Sequence, residues 1–413
     1  MRERQVAWVL YDAANSGFGL IVLGPVFASG FIGTKLPEGG LTLFGQELAG
    51  STLLALMASV AALLITLGAP LLGALADGRG MQRGLFRTFG ITGGVVGLAF
   101  LFAHTWQIAA VVYVLGFACF GFSNTFYNAY LPKLAPPSRQ GSLSGWGFAI
   151  GYLGGAAAMV IALAAVARLE LPIRYAWAFG GLWWLALGTP AFILMPKVPA
   201  TATLPPGNVV IASAKRIVHT FAQVRLYPML FLFLAAFLLY ANGTDTIINL
   251  SSAFAADVLE MEPWPLARVF LVIQCVAFVG ALVAGYVADR VGNKPVIVAT
   301  LLVWCVGTML MYFVETPTQF LVLGSLVGLV LGGVQSCSRA LMAKLAPEAI
   351  RNEAFGFFAL GNKAAAVFGP LLFAGFALIG GPRFGVFAVL PFLVVGLVIL
   401  LRVREPGHEP LGH

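Results

Sequence analysis

Twelve windows of about twenty apolar residues divide this chain, and no other feature restricts its fold as strongly. A helix rises 1.5 Å per residue, so about twenty residues cross the ~30 Å of hydrocarbon in a bilayer. The windows fall at 6–33, 50–76, 84–104, 106–131, 142–167 and 173–195, then at 227–252, 265–288, 294–314, 318–343, 353–379 and 382–401. The composition agrees: 60% of the residues are hydrophobic and 10% charged, against roughly 45–50% and about 25% in a soluble domain. Water cannot be the solvent for most of such a surface.

The net charge of +8 does not point to nucleic acid, because the Lys and Arg residues lie singly between apolar runs and gather on no basic face. Cys119, Cys275, Cys305 and Cys337 sit far apart inside apolar stretches and read as small buried hydrophobes. No cleavable signal peptide is expected, since the first apolar segment carries Asp12 and Asn15. The four histidines, His104, His219, His408 and His413, fall in loops or the tail, and no metal-ligand spacing, nucleophile elbow or phosphate-binding loop is present. The chain therefore reads as a non-enzyme with no metal or cofactor. Any energy source would be an ion gradient or the solute gradient itself.

Six windows precede and six follow one long polar connection. This divides the chain into 1–195, a linker at 196–226 and 227–413. Within the linker, the stretch from Asn208 onward sets Val210, Ile217, Phe221 and Val224 against Lys215, Arg216 and Arg225, the pattern of an amphipathic helix on a membrane surface. With the N-terminus inside, seventeen Lys and Arg residues fall on the inner side and five on the outer side, while Arg339 and Lys363 lie within spans. Cytoplasmic loops are enriched in these residues. Both termini are expected in the cytoplasm, in a bacterial-type inner membrane, with the chain a monomer among lipids.

The halves repeat each other. Gly73-Ala-Leu-Ala-Asp77-Gly-Arg79-Gly80-Met-Gln-Arg83 recurs 212 residues later as Gly285-Tyr-Val-Ala-Asp289-Arg290-Val-Gly292-Asn-Lys294. Lys133-Leu-Ala-Pro136 recurs as Lys344-Leu-Ala-Pro347, and Phe148-Ala-Ile-Gly151 as Phe358-Ala-Leu-Gly361. Parallel six-span repeats around a central site suit a rocking carrier. The first pair resembles the loop motif of the major facilitator superfamily, in which the aspartate meets a helix N-terminus or an arginine in one gate state. The resemblance makes Asp77, Arg83, Asp289 and Arg290 gating candidates. The first copy departs from the usual order, with Gly78-Arg79-Gly80.

A narrower resemblance lies in Leu10-Tyr11-Asp12-Ala-Ala-Asn15-Ser16-Gly17-Phe18, Tyr240-Ala-Asn242-Gly243-Thr-Asp245, Gly332-Gly-Val-Gln335-Ser336-Cys-Ser338-Arg339 and Phe355-Gly-Phe-Phe-Ala-Leu-Gly-Asn362-Lys363. Together these resemble the vacuole effluxer branch, which includes autophagy-related vacuolar amino-acid exporters. The resemblance implies the all-α major facilitator fold, with twelve transmembrane helices. It also implies secondary transport of a small polar or amphipathic solute, with amino acids as one class; the two halves suit alternating access, and Asp245 or Asp12 is the group through which protons would couple to it. Export of drugs or lipid-like compounds, and a non-transporting membrane sensor on the same fold, are the alternatives.

An ionisable residue at bilayer depth costs at least ~2.5–3.5 kcal/mol on insertion scales, so those inside spans are candidates for the site. Asp12 stands ~9 Å into its span, where the helix N-terminus alone would also favour it. Arg339 is ~30 Å along an inward-running helix, within snorkelling reach of the inner interface. Asp245 is ~27 Å along the seventh span, behind an Asn242-Gly243 pair that suggests an interrupted helix. Lys363, ~16 Å into its span, lies closest to the midplane and is expected to face the cavity with Asp245 as its counter-charge. Asn15, Asn242, Gln335 and Asn362 complete the expected binding set.

Overall fold

The computed structural model describes residues 3–36, 41–43, 46–48, 50–201, 226–257, 259–261, 263–361, 376 and 382–406. Its helices are α1 (Glu3–Phe18), α2 (Pro25–Lys35), α3 (Gly50–Arg79), α4 (Gln82–Leu98), α5 (Trp106–Asn128), α6 (Gln140–Arg168) and α7 (Arg174–Leu194) in the first half. The second half holds α8 (Pro228–Asp257), α9 (Pro263–Val291), α10 (Asn293–Met311), α11 (Pro317–Leu345), α12 (Arg351–Gly361) and α13 (Leu390–Arg402). Ten helical segments among the described residues are long and apolar enough to cross a membrane. α12 begins the eleventh expected window and α13 closes the twelfth. Their outer flanks carry large apolar side chains, such as Leu56, Val60, Leu63 and Leu67 along α3, each at least half exposed. In a lipid solvent that surface is no liability.

The first span is not one straight helix. A π-helical turn at Gly19–Leu23 joins α1 to α2, and Pro25, which has no N–H to donate, opens the new helix. A short hairpin, Leu41–Leu43 paired with Gln46–Leu48, sits in the loop that follows, where no strand was expected. The reverse correction applies to the seventh span. α8 runs unbroken through Asn242 and Gly243, with the Asn242 side-chain amide donating to the Leu238 carbonyl one turn back. Gly243 is there for packing, since a Cβ would come within 2.8 Å of Leu393 Cδ2.

Glycines bring the halves together at the end of the bundle where α1 begins. A Cβ on Gly73 of α3 would lie 2.5 Å from the Asn352 carbonyl oxygen, and one on Gly356 of α12 would lie 2.8 Å from Pro70 Cα. The partner pair does the same, with Gly145 of α6 meeting the Ala281 carbonyl oxygen at 2.5 Å and Gly285 of α9 meeting that of Gly141 at 2.6 Å. Backbones touch at both junctions, so this end is closed. The linker helix expected after Asn208, together with Asn362 and Lys363, lies outside the described residues.

Candidate functional site

Both junctions are fastened by the repeated aspartates. Asp77, near the end of α3, accepts from the Asn352 backbone N–H (3.2 Å), the Asn352 side chain (2.7 Å) and the Glu353 N–H (3.1 Å) at the start of α12. Asp289, near the end of α9, accepts from the Gly141 N–H (2.9 Å) and the Ser142 N–H (3.0 Å) at the start of α6. Each carboxylate thus caps a helix of the opposite half, where orphan donors and the helix dipole both favour an anion. Gly80 and Gly292, at equivalent positions of the two motif copies, both turn the chain at positive φ, +66° and +97°. The cationic candidates act nearby. Arg83 donates to the Ile193 carbonyl (2.6 Å) inside its own half. Arg290 donates to the Tyr286 hydroxyl (2.7 Å) and lies over that ring. At the rim, Lys133 pairs with Glu348 across the halves, and its hydrogen bond and charge hold the Glu348 carboxyl below the ordinary range.

Above the closed end lies a cavity of about 420 Å³ bounded by α1, the π turn, α5 and α6 from one half and α8, α9, α11 and α12 from the other. Arg339 of α11 crosses to the first half. Its Nη1 bonds Asp12 Oδ1 (3.2 Å), and its Nη2 stands 2.9 Å from Asp12 Oδ2 as an ion pair. The other donors reach Ser144 Oγ (2.8 Å), the Ser144 carbonyl (2.9 Å) and Asn128 Oδ1 (3.4 Å). Phe148, Trp8 and Tyr127 present their rings to the guanidinium at 4.2, 4.5 and 5.7 Å. Trp8 and Tyr127 are themselves locked by reciprocal bonds to each other's carbonyls. Arg339 is 2% exposed, so it does not snorkel to an interface, and a full set of acceptors explains why its charge can stay buried. Gly147 leaves the space: any side chain there would collide with Asp12 Oδ2.

The walls are amide and aromatic. Asn15 Nδ2 donates to Asn124 Oδ1 (2.6 Å), while Asn15 Oδ1 is buried without a partner. The Tyr152 hydroxyl crosses the halves to Gln335 Oε1 (2.7 Å). Asp245 lines the same cavity from α8, whereas Asn242, also on α8, is not among its lining residues. Of the expected binding residues, Asp12, Asn15, Asp245, Gln335 and Arg339 therefore share one cavity. Sequence reasoning missed Ser144, Asn128 and Gly147. Asn128 had left a trace, because it stands 211 residues before Arg339 in the repeat.

Comparison with known proteins adds a family to this geometry. Residues 1–407 match the model of the family described as vacuole effluxer Atg22 like. The uncharacterized MFS-type transporter YxiO of Bacillus subtilis is 30% identical over 416 residues, which covers 98% of this chain and 95% of that protein. Autophagy-related protein 22-1 of Penicillium rubens is 25% identical over 298 residues, and the match covers 65% of this chain and half of the longer fungal protein. The human organic anion transporter MFSD10 superposes with a TM-score of 0.75 at 15% identity, over 97% of this chain and all of that one, a likeness of fold.

Proposed function

We propose, because the chain belongs to the Atg22-like vacuole effluxer family of the major facilitator superfamily, that it carries a small polar or amphipathic solute by alternating access, with amino acids as the first class to test. It is a membrane transporter and not an enzyme. The observation that carries the mechanism is the Asp12–Arg339 pair, which joins the two halves while lining the central cavity. A zwitterion brings one charge for each member of that pair: a carboxylate for the guanidinium and an ammonium for Asp12. Its arrival would replace the inter-half bond by two bonds to the solute, and the orphan Asn15 Oδ1 is ready to accept a donor from it.

In this reading residues 1–195 and 227–413 rock as two bodies joined by the segment 196–226. The closed end is cytoplasmic by the Lys and Arg asymmetry, and the membrane is a bacterial inner membrane. Asp77 and Asp289 hold that end shut, and opening it exposes the helix N-termini of α6 and α12 to water. Arg83 and Arg290 steady the loops behind the two aspartates. Asp12 and Asp245 are the groups able to exchange a proton for solute, while Asn362 and Lys363 serve the binding region. The test is a flux screen of purified protein in liposomes with amino acids and other small solutes, with and without a pH gradient. Loss of flux is expected in Arg339→Gln, Asp12→Asn and Lys363→Ala. Normal flux in Arg339→Gln removes the mechanism.

A further inference from the structure

A second chamber lies wholly within the second half, between α8, α9, α10 and α11. It measures about 120 Å³, and its lining is apolar apart from a few groups. Ile248, Gln274 and Leu331 border both this chamber and the central cavity, so a single layer of side chains separates them. Gly307, Gly324 and Gly328 face into the packing around it, with Val327 and Ile273 seated against them. One wall is Trp304, a fully buried indole whose Nε1 has no hydrogen-bond partner. Of the described cavities, Trp304 borders this one alone.

An N–H left unpaired beside a void is costly, and Ser251, Gln274 and Thr308 are the other polar side chains on walls that are otherwise apolar. Small ligands do enter such spaces, since an apolar cavity of about 150 Å³ takes up benzene. We propose that the chamber is a tail subsite for the transported solute. It would receive a compact hydrocarbon tail, up to the size of a five-membered ring, that carries one hydrogen-bond acceptor for Trp304 Nε1. The head would remain in the central cavity, and Gln274 and Leu331 form the threshold that the tail passes. This rests on the reading of the central cavity given above and narrows its solute to an amphipathic molecule.

The subsite can be read apart from transport. Protein labelled with 5-fluorotryptophan is titrated with cyclopentanone and with methylcyclopentane, and the Trp304 fluorine signal is assigned from Trp304→Phe. Cyclopentanone should shift that signal saturably and bind about tenfold tighter than methylcyclopentane relative to their partition into hydrocarbon, one buried hydrogen bond being worth about that factor. Trp304→Phe keeps an aromatic ring and, with affinities read from the probes' own NMR signals because the Trp304 reporter is gone, should erase the difference, and Val327→Phe should weaken both probes by narrowing the space. In liposomes, Trp304→Phe should raise the KM of O-methylhomoserine about tenfold and leave norleucine and alanine unchanged. An unmoved Trp304 signal, or equal uptake of O-methylhomoserine by Trp304→Phe and the parent, overturns the subsite. If the parent carries none of the three amino acids, the amino-acid reading fails, and the subsite is then judged on the cyclopentanone titration alone.

Discussion

Replacing Asp12 by Asn tests whether the buried ion pair holds the two halves in the closed-end state. In that state Arg339 would keep Ser144, Asn128 and three ring faces but lose its only ion-pair partner among the described residues. Breaking a buried pair by removing one member costs ~3–5 kcal/mol, and the amide oxygen of Asn recovers about 1 kcal/mol as an ordinary hydrogen bond. The ring faces reduce the loss further, by ~0.5–1 kcal/mol for a good cation–π contact. A net ~1–3.5 kcal/mol remains. In the alternate state the halves part at this end and the pair is hydrated, so the loss falls on one side of the equilibrium. The closed-to-open ratio should drop about 5- to 400-fold. Spin labels at Ser138 and Ala349, exposed on opposite halves at the closing end, would report it as a gain in the longer distance by electron–electron double resonance. The cycle with Arg339→Gln is decisive. The double mutant should be less perturbed than the sum of the singles by more than ~1.5 kcal/mol, and additivity within ~0.5 kcal/mol would refute the coupling.

The helix caps should respond in the same assay: Asp77→Asn and Asp289→Asn each lose charge at a helix N-terminus, worth about 1 kcal/mol, and together should open the end further than either alone. Unchanged distances in the double variant would remove their gate role. Gly145→Val should drive α6 and α9 apart, because its Cβ alone would stand 2.5 Å from the Ala281 carbonyl oxygen; a closed-end distance distribution like the parent's would contradict this. Burial would raise the Glu405 carboxyl, but the Lys294 N–H, the Lys344 ammonium and Asn293 outweigh it and hold it below the ordinary value. Its stabilising contribution is therefore complete above pH ~4.3 and lost as pH falls through the lowered value. Glu405→Gln should lower Tm at pH 7 and close that gap on acidification, and a gap independent of pH would be the contrary result. For topology, a cysteine introduced at Lys215 should resist an impermeant reagent in intact cells, and labelling from outside would reverse the orientation.

Much of this architecture was legible because hydrophobic windows and repeats are local or regular signals. The motif resemblance offered Asp77 and Asp289 either a helix N-terminus or an arginine as partner, and both cap a helix; five binding candidates line one cavity. What could not be read was partnership. Asp12 and Arg339 are 327 positions apart, and each had an ordinary explanation alone, a helix start for one and an interface for the other. Depth counted along single helices gave no sign that the two ends converge. The continuity of α8 through Asn242-Gly243 was misjudged for a related reason: a glycine that breaks a helix and one that seats a neighbour's leucine look the same in sequence, and here the neighbour is Leu393.

The repeat also shows where the two halves stop being equivalent, and the candidate site lies there. Loop-bracing contacts are duplicated: Arg83 reaches the Ile193 carbonyl, and Lys294, 211 residues later, reaches that of Leu401. Asparagine and glutamine face each other in the same way, with Asn124 and Gln335 both lining the cavity at that offset. One step further along the same helices the symmetry breaks, since Asn128 is matched by Arg339. Two guanidinium groups at these positions would repel each other across a dry floor, and two amides would give the halves no charge to exchange with a solute. One arginine, donating to the other position's amide oxygen and taking an aspartate from α1 as its counter-ion, gives an inter-half ion pair of the kind a charged solute can replace. Lys133 and Lys344 diverge likewise, the first crossing to Glu348 and the second staying within its half on Glu405. A carrier built from duplicated halves needs matched scaffolds so that both ends can close, and unmatched charges so that solute binding favours a change of state.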